Sequence, residues 1–251
     1  MHDRIITAPA FAHAKAGMWH FFGTRHGPVA RSTKAGRLEL EGHDHPQPTV
    51  VIAVDQVHGT DTLVVDRPVT GEDSFTGGWD SLVTDQPGVL LTIRTADCVP
   101  VLLHDPVRRV VAAAHAGWRG AVGGILRAVV RTMAARFGSR PSDLSVAIGP
   151  AIGPCCYEVD EPVLKPLRER ETGWQTVVSL QDEARGRLDL RALVRLQAGT
   201  AGIAADRIAT IEPCTSCRSD LFFSYRRDGR VVDTMVHGIM LVEREEGKSK
   251  K

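Results

Sequence analysis

Four polar clusters at the ends of apolar runs contain residue types that can do chemistry. They are QVHG (Gln56–Gly59), TADC (Thr95–Cys98), HAGWRG (His115–Gly120) and GPAIGPCCYE (Gly149–Glu158). Polar groups on glycine-rich loops at strand ends are where binding and catalytic sites are usually built. Thiol, imidazole and carboxylate groups in these positions indicate either a metal site or a nucleophilic site.

Two apolar runs, Val99–Leu103 and Val110–Ala114, are separated by a short loop with a turn-like start and are predicted to form a hairpin. The register that we expect from the loop places Cys98 opposite His115. Directly opposed residues have Cβ atoms about 4.5–5.5 Å apart. That distance suits one zinc ion, which takes a thiolate at about 2.3 Å and an imidazole nitrogen at about 2.0–2.1 Å.

His58 follows another buried strand and is the candidate third ligand. Three protein ligands and one open position are typical of a catalytic zinc site. Taken alone, Cys98 has a simpler interpretation as a small apolar core residue, and His115 as a hydrogen-bonded core histidine. The predicted opposition of the two, with Asp97 next to Cys98, favours a shared metal or nucleophilic site.

The other cysteines are less informative. Pro213–Cys217 (PCTSC) matches the second half of the zinc deaminase signature. The first half requires His-x-Glu, and no histidine of the chain has a glutamate two residues after it. Cys155 and Cys156 are adjacent and lack the C-x2-C spacing of a zinc ribbon. A structural zinc site formed by these two with Cys214 and Cys217 is therefore disfavoured against local packing or loop structure.

The HAGWRG cluster has a second interpretation, because it leads from a strand into a helix. Free backbone N–H groups there, with Arg119, would bind a phosphate; the alternative is a tight turn with a solvated arginine. Phe222–Arg227 (FFSYRR) could bring Tyr225 and Arg226 to the rim of a site, or form a strand with two surface arginines.

Composition limits the classes of protein. The chain has 251 residues, with 31 Lys and Arg against 30 Asp and Glu, and this balance argues against nucleic-acid binding. No run approaches the roughly 20 apolar residues of a membrane span, and we see no secretory signal at the N-terminus. Five cysteines are an odd number and too few for a disulfide scaffold, which favours a reducing cytoplasm.

Short β-branched runs predict strands that outnumber helices, and hence mixed sheets with helices on their outer faces. Besides the hairpin, the predicted strands are Thr49–Val54, Val89–Ile93, Leu144–Ile148 and Arg230–Val236. The predicted helices run from Gly120 to Phe137 with a stop at Gly138, from an N-cap at Asp189 to about Gly199–Gly202, and over Glu161–Arg170.

These clusters, in this order, resemble the YfiH/laccase-domain family, also labelled polyphenol oxidase or DUF152-like. The resemblance rests on QVHGTD, TADCVPVLL, AAAHAGWRGAVGGIL, IGPAIGPCCYEV, the CT of PCTSC and FFSYRRDGR, and it covers about Val54 to Leu241. It implies an α+β fold, a single-domain α/β/β/α sandwich of mixed sheets over residues 1–251, with 1–18 and 245–251 peripheral. It also implies a zinc site formed by His58, Cys98 and His115.

The resemblance further implies purine nucleoside chemistry: phosphorolysis of adenosine, inosine, guanosine or methylthioadenosine, and adenosine deamination. Purine nucleoside and phosphate are then the partners of a monomer or small homo-oligomer. The family's arginine-bearing segment ahead of QVHG has no clear match in Arg31–Pro48, and Arg25 is a candidate replacement. Gln56 is a further candidate substrate contact, and Asp97 is the candidate proton carrier.

Three alternatives remain. Cys98 and His115 could act as the nucleophile and base of a cysteine hydrolase that edits peptidoglycan precursors. Two histidines and one cysteine could also bind Cu²⁺ in a polyphenol oxidase, although paired His-x-His motifs are nearly absent. A non-enzymatic binding protein is the third, motivated only by the unmatched upstream segment.

Overall fold

The apolar runs form the strands of two large mixed sheets and one small one in the computed structural model, which describes residues 4–8, 17–27, 46–70, 73 and 75–243. The strands are β1 (Ile5–Ile6), β2 (Met18–Gly23), β3 (Val50–Ile52), β4 (Thr62–Val65), β5 (Ser81–Thr84), β6 (Val89–Thr95), β7 (Val99–Asp105), β8 (Val110–Ala116), β9 (Ser145–Ile148), β10 (Glu158–Asp160), β11 (Val178–Leu180), β12 (Arg185–Leu188), β13 (Ile208–Thr210) and β14 (Met235–Leu241).

One sheet has the strand order β1-β2-β14-β6-β3, and the second has the order β13-β9-β7-β8-β5-β4. The small sheet has the order β10-β12-β11. Parallel pairs (β3 with β6, β4 with β5, β13 with β9) occur beside antiparallel ones. The predicted α+β class with mixed sheets is therefore confirmed.

The helices are α1 (Trp118–Gly123), α2 (Ile125–Phe137), α3 (Glu161–Arg170), α4 (Leu190–Thr200) and α5 (Tyr225–Asp228). Single 3₁₀ turns lie at Pro141–Asp143, Trp174–Thr176 and Ala205–Arg207. The Asp189 carboxylate accepts from the amides of Arg191 and Ala192, which confirms the predicted N-cap of α4. Among the described residues, no helix has the length and apolar character to cross a bilayer.

The two large sheets pack face to face, and α1, α2 and α4 lie against the other face of the six-stranded sheet, while α3 packs against α1 and the small sheet. Leu91 and Ile239 pack towards Leu102 in the layer between the sheets. Val101 and Leu103 belong to the cluster beneath the helices. Because successive side chains of a strand point to opposite faces, β7 is buried on both sides, which explains its continuous apolar sequence and makes it a rigid support for residues at its ends.

The β7–β8 hairpin forms, but its register differs from the predicted one by two residues. Pro100, not Cys98, pairs with His115, and the strands extend to Asp105 and Val110. The cause is the Asp105 carboxylate, which accepts from two backbone amides of the loop and starts the turn later than we predicted. Since side chains alternate with a period of two, this shift does not exchange the two faces.

Two predicted elements are wrong in position. The helix predicted from Gly120 to Phe137 is two helices, because Gly124 has φ of 85° in the left-handed region and interrupts the hydrogen-bonding pattern. The predicted strand Arg230–Val236 begins only at Met235. The predicted stop at Gly138, with φ of 69°, is confirmed.

The FFSYRR segment is not a strand. Ser224 accepts from the Arg227 amide and caps the short helix α5. Near the N-terminus, Ile5–Ile6 pair with β2 as an edge strand. Most of the segment without a family match, residues 31–45, and the C-terminal residues 245–251 lie outside the described residues.

Candidate metal centre and cavity

Three donor groups from separate parts of the sequence converge at one edge of the sandwich. His58 lies on the loop between β3 and β4, Cys98 directly precedes β7, and His115 lies near the end of β8. One thiol sulphur and one nitrogen from each imidazole lie within 4.8 Å of one another. Cys98 Sγ lies 3.9 Å from His58 Nε2, and the two imidazole rings are nearly perpendicular at 81°. We call these residues the His-Cys-His cluster.

A buried carboxylate that the sequence analysis missed holds this cluster in place. Asp80 is completely buried, and its Oδ1 lies 2.8 Å from His115 Nδ1. The same carboxylate accepts from the amides of Val57, His58 and Gly59, at 3.2, 2.9 and 2.6 Å. Asp80 thereby engages Nδ1 of His115, which leaves Nε2 for the cluster, and it fixes the backbone that carries His58.

Two residues of the centre adopt left-handed backbone conformations. His58 has φ of 62° and Asp97 has φ of 92°. The Asp97 carboxylate accepts from Thr215 Oγ1 at 2.6 Å and from the Arg226 amide at 2.7 Å. Such conformations persist only where surrounding contacts hold them. Here the hydrogen bonds of Asp80 hold His58, and those of Asp97 fix the residue that precedes Cys98.

The electrostatics of the cluster favour a thiolate next to an imidazolium when no metal is bound. Burial would raise the pKa of Cys98, but hydrogen bonds with His115 and His58 outweigh it and lower this pKa to about 7. Burial would lower the pKa of His115, but Asp80 and Cys98 raise it to about 9. For Asp80 itself, burial opposes ionisation, yet the bonds from His115 and Gly59 keep its pKa below the usual value.

The cluster opens onto a cavity of about 680 Å³, within the range of small-molecule sites. Its wall contains aromatic and cationic side chains: Trp118, Tyr157, Tyr225, Arg94, Arg119 and Arg226. The Arg119 guanidinium lies 4.4 Å from the centre of the Trp118 ring. Burial and the nearby Cys98 raise the pKa of Tyr157 to about 12, so its hydroxyl remains a hydrogen-bond donor.

The structure places most of the predicted residues around this cavity. Gln56, Asp97 and Arg119 line it, as do Tyr225 and Arg226. The Gln56 amide both donates to the carbonyl and accepts from the N–H of Arg94, at 2.8 Å each, so this side chain joins the His58 loop to β6.

Arg25 is not among the residues that line the cavity, within the part of the chain that the structure describes. Its guanidinium stacks on Phe223 at 5.0 Å and donates to the Ser219 carbonyl. Arg226 also donates to backbone, the Glu158 carbonyl at 3.1 Å. Two cavity residues that sequence reasoning missed are Arg94 and Tyr157. Tyr157 directly follows the noted CC pair, which was the available signal.

The donor set fits a divalent metal of borderline softness. One thiolate and two imidazoles are zinc ligands, and a carboxylate behind a metal-bound histidine is the usual second support. Donors on only three sides, with a cavity on the fourth, correspond to an open coordination position. The structure is thus an α+β sandwich of mixed sheets with, at its edge, a three-donor cluster that could hold a metal ion.

The chain belongs to the family described as multi-copper polyphenol oxidoreductase laccase, whose family model matches residues 22–242. "Purine nucleoside phosphorylase YlmD" of Geobacillus stearothermophilus is 39% identical over 249 residues, 88% of each chain. "Adenosine deaminase RL5", from an unknown prokaryotic organism, is 34% identical over 80% of this chain and 76% of its own. The crystal structure of YlmD from Geobacillus stearothermophilus gives a TM-score of 0.77 at 33% identity, over 96% of this chain and 100% of that one.

Proposed function

We propose that this protein is a zinc-dependent purine nucleoside enzyme that cleaves adenosine, inosine, guanosine or methylthioadenosine with phosphate and also deaminates adenosine. The observation that carries the proposal is the His-Cys-His cluster at the wall of a nucleoside-sized cavity. Relatives named purine nucleoside phosphorylase and adenosine deaminase support the substrate class.

His58, Cys98 and His115 are the residues that would hold the zinc ion. When bound, zinc lowers the pKa of a coordinated water towards 7 and polarises oxygen or nitrogen groups of a substrate. The chain's own contribution is the orientation of the donors. Asp80 sets the free nitrogen of His115 and the position of His58, and the left-handed turn at Asp97 presents Cys98.

The cavity wall has the chemistry that a nucleoside and phosphate need. Aromatic faces at Trp118 and Tyr157 can stack on a purine, and the exposed guanidinium of Arg119 can bind a phosphate oxygen pair. In phosphorolysis a phosphate oxygen attacks the anomeric carbon of ribose. The glycosidic bond between that carbon and the purine nitrogen breaks, and the departing purine takes a proton. Asp97 is the candidate carrier of that proton, although its carboxylate already accepts two hydrogen bonds.

The test is to incubate zinc-loaded protein with adenosine, with and without phosphate, and to separate the products by chromatography. Free adenine and ribose 1-phosphate that appear only with phosphate show phosphorolysis; inosine shows deamination. Cys98→Ala should lose both. Recovery of intact adenosine in both reactions, with Cys98→Ala indistinguishable from wild type, would reject the proposal. Copper rather than zinc in the purified protein would favour oxidase chemistry.

A second candidate function has one specific observation in its favour. Cys98, His115 and Asp80 are arranged as nucleophile, base and orienting carboxylate, with the pKa of Cys98 lowered to about 7. This arrangement fits a cysteine hydrolase acting on peptidoglycan precursors. Release of an amino acid or peptide from a UDP-linked muropeptide by metal-free protein would support it. Loss of that release after alkylation of Cys98 would identify the nucleophile.

A further inference from the structure

The other four cysteines converge at a second point of the fold, although the sequence analysis disfavoured this arrangement. Cys155 and Cys156 lie in the loop between β9 and β10, and Cys214 and Cys217 lie in the loop after β13. The four Sγ atoms lie within 4.8 Å of one another, and all four cysteines are free. We call them the four-cysteine cluster.

The sulphur–sulphur distances match a tetrahedral metal site. Cys217 Sγ lies 3.6 Å from Cys155 Sγ and 3.4 Å from Cys156 Sγ. Four thiolates about 2.3 Å from one zinc ion are separated from each other by about 3.8 Å. The four thiols therefore already lie close to the separation that a shared ion requires.

The backbone explains how adjacent cysteines both reach the same point. The Gly153 carbonyl accepts from the amides of Cys156 and Tyr157, each at 3.0 Å, which closes a tight turn through Cys155 and Cys156. On the opposite loop, Cys214 Sγ accepts from the Gly153 amide at 3.2 Å. The amides of Ser216 and Cys217 also bond to this sulphur. Such N–H groups stabilise a thiolate.

Four arginines hold the backbone of both loops. Arg187 donates to the Pro154 carbonyl, Arg226 to Cys156, Arg191 to Ile211 and Pro213, and Arg227 to Thr215. A zinc ion with four thiolates carries a net charge of about −2. The surrounding guanidinium groups would offset this charge, and their bonds to carbonyls keep the loops in place.

We propose that the four-cysteine cluster binds one structural Zn²⁺ ion, separate from any metal in the His-Cys-His cluster. Four protein sulphurs close the coordination sphere, so this ion has no position for a substrate. Its place in the fold gives it a role: Cys156 precedes the cavity residue Tyr157, and Thr215 within the C-x2-C loop donates to Asp97. The ion fixes one wall of the cavity by joining two loops distant in sequence.

The test is the zinc content of the full-length protein, purified under reducing conditions without a metal-binding tag. Wild type should hold about two zinc ions per chain, and both Cys217→Ser and Cys98→Ser should hold about one. Ser219→Ala, an exposed change two residues from Cys217, is the matched control and should hold about two, as wild type does. Cobalt added to Cys98→Ser should give the intense absorption of a tetrathiolate site, and cobalt added to Cys217→Ser should not.

A measurement on wild type covers the case in which Cys217→Ser fails to fold. X-ray absorption at the zinc edge should give about 2.5 sulphur ligands per zinc if both clusters are filled, against about one if only the His-Cys-His cluster is filled. A value of one overturns the proposal. So does iron in place of zinc, or a non-reduced mass two units lower, which would indicate a disulfide. Zinc content does not depend on turnover, so this test is independent of the proposed nucleoside activity.

Discussion

The two cysteine-containing clusters differ in what surrounds their donors. The His-Cys-His cluster has three donors and faces a cavity of about 680 Å³. The four-cysteine cluster has four donors and lies between two loops. With three ligands a zinc ion keeps a position for water or substrate, whereas with four sulphurs it does not. The number of donors therefore distinguishes the two clusters. A metal ion held by three donors could bind a substrate, whereas one held by four could only stabilise the fold.

The arginines near the two clusters show the same difference. Arg94 and Arg119 are exposed in the cavity. Around the four-cysteine cluster, the guanidinium groups of Arg187, Arg191 and Arg227 donate to backbone carbonyls. A guanidinium bonded to the protein's own carbonyls supports the scaffold, while one exposed in a cavity remains available to a phosphate. The comparison predicts that substitutions near the His-Cys-His cluster and near the four-cysteine cluster differ in their effects on zinc affinity, stability and KM.

The largest effect is expected for Asp80→Asn. Asp80 is fully buried and accepts hydrogen bonds from His115 and three backbone amides. The amide NH₂ cannot accept, so the change should lower the zinc affinity of the His-Cys-His cluster about 10- to 100-fold and destabilise the fold by about 1–3 kcal/mol. Zinc competition titrations and thermal unfolding measure the two effects.

The neighbouring substitution Asp61→Asn, at an exposed position, is the control for Asp80→Asn and should leave zinc affinity unchanged. The zinc of the four-cysteine cluster should be retained in both variants. Equal loss of zinc from both clusters in Asp80→Asn would mean that the protein had unfolded generally, and the distinction between the two regions would fail.

Each cluster has one glycine packed against it, which gives a matched pair of variants. A Cβ on Gly117 would lie 2.7 Å from His58 Cδ2 and 3.1 Å from Cys98 Sγ, whereas one on Gly153 would lie 3.2 Å from Cys155 Sγ. Overpacking costs about 1–3 kcal/mol, or roughly 5- to 150-fold in affinity. Gly117→Ala, with the shorter contact, should lie near the middle of this range at its own cluster, and Gly153→Ala at the lower limit. A larger loss of zinc affinity in Gly153→Ala than in Gly117→Ala would contradict the geometry of both sites.

Arg119→Ala tests whether the exposed guanidinium of Arg119 binds the phosphate. Removing a charge-assisted hydrogen bond costs about 1.5–3 kcal/mol, so KM for phosphate should rise roughly tenfold or more while zinc content stays the same. Arg119→Lys should restore part of the affinity. Arg131→Ala, on an exposed position of α2, is the control. An unchanged KM for phosphate in Arg119→Ala would place the anion elsewhere in the cavity.

The proximity of the three side chains of the His-Cys-His cluster could be predicted from the sequence, because each lies near the end of a buried apolar run. The predicted hairpin register was wrong by two residues, but this error left Cys98 and His115 on the predicted faces, since a shift of two preserves the faces of a strand. Asp80 could not be predicted, because its partners lie 21 to 35 residues away. In the sequence, a carboxylate before a strand is indistinguishable from a solvated turn residue.

The four-cysteine cluster was considered in the sequence analysis but disfavoured, for a different reason. The adjacent Cys155 and Cys156 do not have the spacing of known zinc motifs. Only the turn that the Gly153 carbonyl closes, and the loop opposite it, bring both thiols to Cys217. The break at Gly124 was hidden likewise, because apolar residues keep helical spacing across it and only the backbone φ of 85° reveals the interruption.

The smallest effect is expected at the link between the two regions. Thr215 lies between Cys214 and Cys217, and its hydroxyl donates to Asp97 at 2.6 Å. Thr215→Val keeps the shape of the side chain but leaves a buried carboxylate oxygen without its donor, which should cost about 1–3 kcal/mol and a few degrees of thermal stability. Because Asp97 precedes Cys98, KM for the nucleoside should also rise by about twofold to fivefold.

Thr215→Ser restores the hydroxyl and should return both the stability and KM towards wild type. That rescue distinguishes the hydrogen bond from general loss of packing, since serine has the smaller side chain. If Thr215→Val lowers stability without changing KM, the four-cysteine cluster stabilises the fold but does not influence the cavity. If KM rises and serine restores it, the structural cluster also sets the position of the cavity wall beside the metal centre.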